Sequence, residues 1–350
     1  MKICITGSLG LVGLAATKYF LNRGNVVVGI DNNMRQVFFG NTARTDINRP
    51  FFAKNPKYYH KSIDIRDYKG IKDIFKKNNF DVVIHAAGQP SHDKARKKTR
   101  LDFEVNTVGT FNLLEATRNY AKGAVFIFTS TNKAYGDNPN RVELIEEKKR
   151  YFFADPNFIG FDEGLSIDYC LHSFLGASKL AADIYVQEYG RCFGLKTTSL
   201  RLGCITGPLH ASVKLHGFLS FLIKSLIKNN GYEIIGYKGK QVRDQLHVDD
   251  LVLAMSEIIK KPVKGEIFNL GGGKKNSASI LELIEIVSRK LKIKPKISYK
   301  KKPRLGDHIC YITDYSKFKK FYPKWRITRS LDSIIDELIS YEQQKLHANS

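Results

Sequence analysis

Apolar residues in the first part of the chain come in short unbroken runs separated by longer stretches with helical spacing. The runs Lys2–Thr6, Val26–Ile30, Val82–His85 and Ala124–Thr129 predict strands, and Tyr58–Ile63 reads as another. Between them, Leu11–Arg23 (closed by Gly24), Tyr68–Lys77 and Asp102–Tyr120 carry amphipathic helical patterns. Runs without period-two alternation suit a sheet buried on both faces. Strand–helix alternation then predicts an α/β fold with a parallel sheet and helices on both sides. Residues 137–167 mix polar and aromatic positions without a period, and a loop this long in a compact domain points to function. A long helix, Leu171–Cys192, and a strand, Thr197–Leu202, follow. Past residue 205 the pattern changes to helices at Leu215–Asn229, Ile280–Leu291 and Leu331–Gln343, with short strands at Tyr232–Ile235, Glu266–Leu270 and Ile297–Tyr299. The expected organisation is a first domain of residues 1–204 with about 245–262, and a smaller mixed α/β C-terminal domain of 205–244 and 263–345.

Composition narrows the class. An apolar content of 43%, with 22 Phe and 17 Tyr in 350 residues, excludes a disordered chain. The net charge of +23 comes from 57 Lys and Arg against 34 Asp and Glu. These cations are scattered, and the densest runs, Lys94–Arg100 and Lys296–Arg304, are short. A solvated basic surface is therefore preferred to a phosphate-bearing small substrate, and both to nucleic acid. No apolar run reaches the roughly 18 residues of a membrane helix. The five cysteines, at 4, 170, 192, 204 and 310, are odd in number and form no CxxC. They read as reduced core residues of a cytoplasmic protein, not as disulfides or metal ligands.

Chemistry enters at Gly7-Ser8-Leu9-Gly10-Leu11-Val12-Gly13, which follows the first strand and opens the first helix. In that setting the first glycine permits the turn, the second lets backbone amides approach a pyrophosphate, and the third packs helix on strand. This is the fingerprint of a Rossmann-type dinucleotide site, with Leu11 and Val12 at the helix start. Asp31, 24 residues after Gly7, ends the second strand, where a carboxylate accepts bonds from a ribose and repels a 2′-phosphate. It favours NAD, although Arg35 is close in sequence, and Asn32 adjoins the same position. Asp64 and Ile65 suit an adenine contact, and Ala86, Ala87 and Gly88 a close backbone approach, but each is equally explained as packing. Thr129 and Thr131 end the next strand, with Asn132 and Lys133 following, at the sheet edge where such folds bind ligands. Local capping by the hydroxyls is the plainer alternative.

Further motifs join these: His85-Ala86-Ala87-Gly88, Asn106-x-x-Gly109-Thr110-x-Asn112-Leu113-Leu114-Glu115-Ala116, Lys179, Arg243-Asp244-x-x-His247-Val248-Asp249-Asp250 and Phe268-Asn269-Leu270-Gly271-Gly272-Gly273. Together they resemble the extended short-chain dehydrogenase/reductase family (NAD-dependent epimerases and dehydratases) over nearly the whole chain. Within it, Ser130-Thr131-Asn132-Lys133-x-Tyr135-Gly136, Gly160-Phe161-Asp162-Glu163 and Gly239-Lys240-Gln241-Val242-Arg243-Asp244 look most like the CDP-paratose 2-epimerase (tyvelose epimerase) group. The resemblance implies NAD-dependent epimerisation of a nucleotide-activated sugar through a transient keto-sugar, serving lipopolysaccharide or other surface polysaccharide synthesis. It implies that Lys179 holds the nicotinamide ribose and lowers the pKa of a catalytic Tyr, with Thr131 on the same substrate oxygen and Leu202 beside the nicotinamide. It also implies that Gln89, Asn132, Lys133, His216, Arg243 and Arg304 line the nucleotide-sugar site. A homodimer is implied too, built on the helices around Asp102–Tyr120 and Leu171–Cys192 with Phe103, Phe111, Tyr185 and Tyr189 outward, although core packing explains these four aromatics equally well. Neither a nucleic-acid nor a membrane partner is expected.

One position breaks the pattern. The family places the catalytic Tyr four residues before the Lys, and Leu175 stands there in His172-Ser173-Phe174-Leu175-Gly176-Ala177-Ser178-Lys179. Leucine has no proton to transfer. Either another group serves (His92 beside Asp93 first, then Lys133 or His172), or Lys179 acts with water, or the chain binds NAD and a nucleotide sugar without turning it over. A nucleotide-sugar 4,6-dehydratase or 4-epimerase is a further alternative. Dehydration calls for an acidic residue directly after Thr131, where Asn132 and Lys133 stand.

Overall fold

The computed structural model describes residues 1–209, 212–213, 217–304 and 306–347. The chain divides into two compact units, Met1–Ala134 with Ser173–Leu202 and Leu251–Phe268, and Tyr135–His172 with Gly203–Asp250 and Asn269–Ser350.

The first unit is built on a seven-stranded sheet, and the expected α/β class is the one observed. In spatial order its strands are Glu266–Leu270, Lys196–Leu202, Val125–Thr131, Val82–His85, Lys2–Thr6, Val26–Ile30 and Tyr58–Lys61. The pairings from Lys196–Leu202 through to Tyr58–Lys61 are parallel. The central strands are buried along nearly their whole length, which is why they read as unbroken apolar runs. The chain leaves Lys2–Thr6 in one direction across the sheet and later returns to its other side with Val82–His85. That reversal opens a crevice at the carboxyl ends of these two strands. Helix Tyr68–Lys77 is capped by the Asp67 carboxylate, which accepts from the Gly70 amide. The helix expected from Asp102 begins earlier, at Thr99, and a π turn at Glu104–Val108 interrupts it before Gly109–Tyr120.

In the second unit, strand Val242–His247 pairs antiparallel with Ser277–Ser279 and parallel with Cys310–Tyr311 and Cys204–Thr206. No apolar run announces it, because Arg243, Asp244, Gln245 and His247 are buried polar residues. A second pair, Tyr232–Ile235 with Ile297–Lys300, is parallel. Helices Phe218–Ile227, Ile280–Leu291 and Leu331–His347 share one apolar core. Ile280–Leu291 opens on a capping box between Ser279 and Glu282. The irregular segment 137–167 contains a small hairpin, Leu144–Glu146 against Tyr151–Phe153. Its Phe153 and the following Phe161 pack with Val242, Tyr311 and Ile312, so this segment groups with the second unit rather than with the preceding sheet. No helix among the described residues is long and apolar enough to cross a membrane.

Candidate active site

The glycine loop lies at the carboxyl end of the first strand, beside the crevice. Gly7 has φ +67°, and a Cβ there would sit 2.8 Å from the Ala87 nitrogen and 2.9 Å from the Ala86 carbonyl carbon. A Cβ on Gly13 would come within 2.1 Å of the Gly7 carbonyl oxygen. Both glycines are therefore demanded by close backbone approach, at Gly7 to the backbone of Ala86 and Ala87. Helix Leu11–Asn22 begins at Gly10 with no side-chain cap and no acidic residue in its first turn. Its end stays available to an anion, as a dinucleotide pyrophosphate requires. Asp31 reaches the loop directly: one carboxylate oxygen accepts from the Leu9 amide at 3.0 Å, the other from the Asn33 amide at 2.9 Å. Burial raises its pKa, and these amides pull it back. Asp64 is gripped by Arg66 at 2.8 Å and by the Asn32 amide at 3.0 Å. Ile65 is buried under Gly109, where a Cβ would meet its side chain at 2.5 Å.

The neighbouring strands end in Thr131 and Leu202, which are register partners. The Thr131 hydroxyl accepts from the Lys133 amide at 3.2 Å, and Asn132 is buried. Helix Ser173–Phe193 delivers Lys179 beneath these strand ends. Its ammonium donates to the Thr129 carbonyl at 2.6 Å and lies 4.2 Å from the centre of the Phe128 ring. Burial lowers its pKa to about 8, and the Asp183 and Asp102 carboxylates oppose that fall. Leu175, one turn earlier, is buried. The His92 ring meets the Ser173 hydroxyl at 2.9 Å, at the very start of the helix that carries Leu175 and Lys179. His172 instead lies against the Cys170 thiol, 3.6–3.7 Å away.

The residues expected to hold the sugar nucleotide are divided between the two units. Arg243 is buried in the second unit, pairs with the Asp307 carboxylate and donates to the Val242 carbonyl at 2.7 Å. Arg304 is half-buried in that unit, and His216 lies outside the described residues. Gln89, expected to touch substrate, is turned inward. Its amide donates to Asp102 at 2.6 Å and to the Ser91 carbonyl at 2.9 Å, and its oxygen accepts from the Ser91 amide at 2.5 Å. Both its amide hydrogens are thus committed within the protein, and the side chain holds the loop.

The family model for GDP-mannose 4,6 dehydratase matches residues 4–338. The chain belongs to that family. It falls within the extended short-chain dehydrogenase/reductase group that its motifs resemble. CDP-paratose 2-epimerase of Salmonella typhi is 33% identical over 297 residues, covering 82% of this chain and 83% of the relative. The solved structure of Pal from Bacillus thuringiensis superposes with a TM-score of 0.83 at 26% identity, covering 99% of this chain and 100% of that one. UDP-glucuronic acid 4-epimerase from Bacillus cereus, solved with UDP-glucuronic acid and NAD, gives 0.79 at 24% identity over 99% of this chain and 100% of that one.

Within this family fold, the site rests on buried polar residues to which sequence reading assigns no role: His85 and Asn106, which open two of its motifs, and Asp183, which lies outside them. His85 is fully buried between the Thr6 hydroxyl at 2.7 Å and the Thr110 hydroxyl at 2.9 Å. Burial and the Lys179 charge hold its pKa well below the usual range, so it is a neutral clamp between strand and helix. Asn106, inside the π turn, accepts from the Gln89 amide at 2.9 Å and donates to Asp102 at 3.2 Å and Ser178 at 3.0 Å. A Cβ on Gly88 would lie 3.1 Å from Asn106 Oδ1 and 3.6 Å from Lys179 Nζ, so this network backs directly onto the lysine. Asp183, one turn beyond Lys179, is fully buried and binds Arg201 at 3.1 Å and Ser199 at 2.8 Å. Its only sequence signal is a charged residue at helical spacing from a motif lysine.

Proposed function

We propose that the chain is an NAD-dependent epimerase of a nucleotide-activated sugar, working like CDP-paratose 2-epimerase and supplying surface polysaccharide synthesis in the cytoplasm. The observation that carries this is Lys179, a buried ammonium with a pKa of about 8 in the same compact unit as the glycine loop. The close approach at Gly7 and Gly13, the uncapped helix start and Asp31 fit NAD, with Asn32, Asp64, Ile65, Ala86, Ala87, Gly88, Thr129 and Leu202 around it. When bound, NAD supplies a hydride acceptor and donor for the sugar carbon. Thr131 orients the reacting hydroxyl. Lys179 stabilises negative charge on its oxygen. For the diphosphate we propose Arg243 and Arg304 of the second unit, because a planar guanidinium suits phosphate oxygens. Asn132 and Lys133 in place of an acid after Thr131 favour epimerisation over dehydration.

With Leu175 inert, we assign proton transfer to His92, which its bond to Ser173 holds at the mouth of the same helix. A histidine side chain can both accept and release a proton in acid–base work. NMR of a panel of CDP-, GDP- and UDP-sugars incubated with the NAD-loaded protein should show inversion at one ring carbon. His92→Ala should then lower turnover about 10²–10⁴-fold while leaving sugar binding intact. Undiminished turnover would remove His92 from the chemistry. Leu175 itself favours a second reading, a binder of NAD and nucleotide sugar without turnover. That reading stands if the wild type binds a nucleotide sugar yet inverts none.

A further inference from the structure

The second unit carries a cleft of about 680 Å³ whose lining residues are assigned above to neither NAD nor the sugar nucleotide. One wall is Gly272, Lys275 and Asn276; the other is the loop from Arg326 to Leu331, with Tyr315 and Lys319 also lining it. Lys275, Lys319, Arg326 and Arg329 thus converge on one small space. The single carboxylate there, Asp332, is taken by Lys290 at 2.8 Å. Among the described residues, Lys275, Arg326 and Arg329 make no ion pair. Lys319 is held by the carbonyls of Trp325 at 2.6 Å and Pro323 at 3.3 Å. Gathering like charges costs free energy unless an anion joins them.

The loop is also fixed in advance. Buried Asp250 accepts from the Thr328 amide at 3.1 Å and the Arg329 amide at 3.2 Å, and its carbonyl takes the Trp325 indole N–H at 2.9 Å. From the other wall, Asn276 donates to the Arg329 carbonyl at 2.8 Å and accepts from the Leu331 amide at 3.0 Å. The backbone bearing the two arginines is therefore ordered before any ligand arrives, so little ordering is left to oppose binding. Tyr315, Ile286 and Ile327 add an apolar surface next to the cations, on which a ring can rest.

We infer that this cleft binds a small polyphosphate, either free or carried on a nucleoside, with the phosphates between Lys275, Arg326 and Arg329. The test is isothermal titration of the full chain with tripolyphosphate and with ATP, at about 0.15 M salt. NAD is kept saturating so that the dinucleotide site is closed to ATP. One equivalent per chain should bind. Arg326→Glu with Arg329→Glu should weaken both probes by more than about tenfold. Lys294→Glu with Lys296→Glu makes the same change in net charge at exposed positions and should leave binding unchanged. Arg304→Ala, which reports on the nucleotide-sugar site, should also leave it unchanged. Tighter binding of ATP than of tripolyphosphate identifies a nucleoside ligand; equal binding identifies a free polyphosphate. The inference is overturned if neither probe binds, if the Lys294/Lys296 variant loses affinity equally, or if only Arg304→Ala does.

Discussion

Lys179 is held between opposing influences. Removal from water favours the neutral amine, while Asp183, Asp102 and the Thr129 carbonyl favour the ammonium, and the balance is a pKa of about 8. The sign of the pH dependence follows. Below about pH 8 the charge is present and available to a developing oxyanion, and above it the charge is lost. The kcat profile of the sugar reaction should therefore fall through a limb near pH 8. Lys179→Met should lower kcat about 10²–10⁴-fold at neutral pH. Lys179→Arg, whose guanidinium does not titrate in this range, should abolish the alkaline limb whatever activity it retains. A limb that persists in the arginine variant would assign the titration to another group. At this scale, what the sequence revealed was what is local to it. Gly7, Gly10, Gly13 and Asp31 could be read because loop and carboxylate sit at a fixed spacing on consecutive elements. The inward turn of Gln89 could not, since it depends on Asp102, 13 positions away, and on Asn106, 17 positions away.

Among the elements, apolar runs marked the strands of the main sheet, but Glu266–Leu270, expected in the C-terminal domain, is instead an edge strand of that sheet. No such run marked Val242–His247, where burial is met by hydrogen bonds instead of by apolar side chains. Asp244 there accepts from the Gly273 amide at 2.9 Å and the Thr313 amide at 3.1 Å. Nor does any pattern announce the π turn at Glu104–Val108, whose extra residue is tolerated because it lets Asn106 meet Gln89, Asp102 and Ser178 together. Asn106→Ala would leave those buried groups short of partners, which costs about 1–3 kcal/mol. Urea unfolding should show a lower midpoint with an unchanged slope. Asn106→Asp should not restore stability, because its carboxylate would face Asp102. A variant as stable as the wild type would mean the π turn is held by its apolar neighbours alone.

On the scale of the whole molecule, the scattered positive charge opposes self-association, so any dimer has to be built on an apolar surface. The helices Gly109–Tyr120 and Ser173–Phe193 supply one. Phe111 and Tyr185 are 40% and 47% exposed and touch edge-to-face at 5.8 Å, with Phe103 exposed at the end of the preceding helix Thr99–Phe103. Tyr189, expected to face outward with them, is buried instead and donates to Glu115 at 2.7 Å. It stiffens this surface from below and does not form part of it. The homodimer proposed from family resemblance therefore rests on Phe103, Phe111 and Tyr185. Sedimentation velocity should give a dimer for the wild type and a monomer for Phe111→Asp with Tyr185→Asp, since each buried carboxylate would face its copy across the two-fold. Both substitutions are at exposed positions of one chain, so the monomer should still fold and bind NAD. A wild type that sediments as a monomer at micromolar concentration would end the dimer proposal. A dimer that survives both substitutions would move its interface to another face.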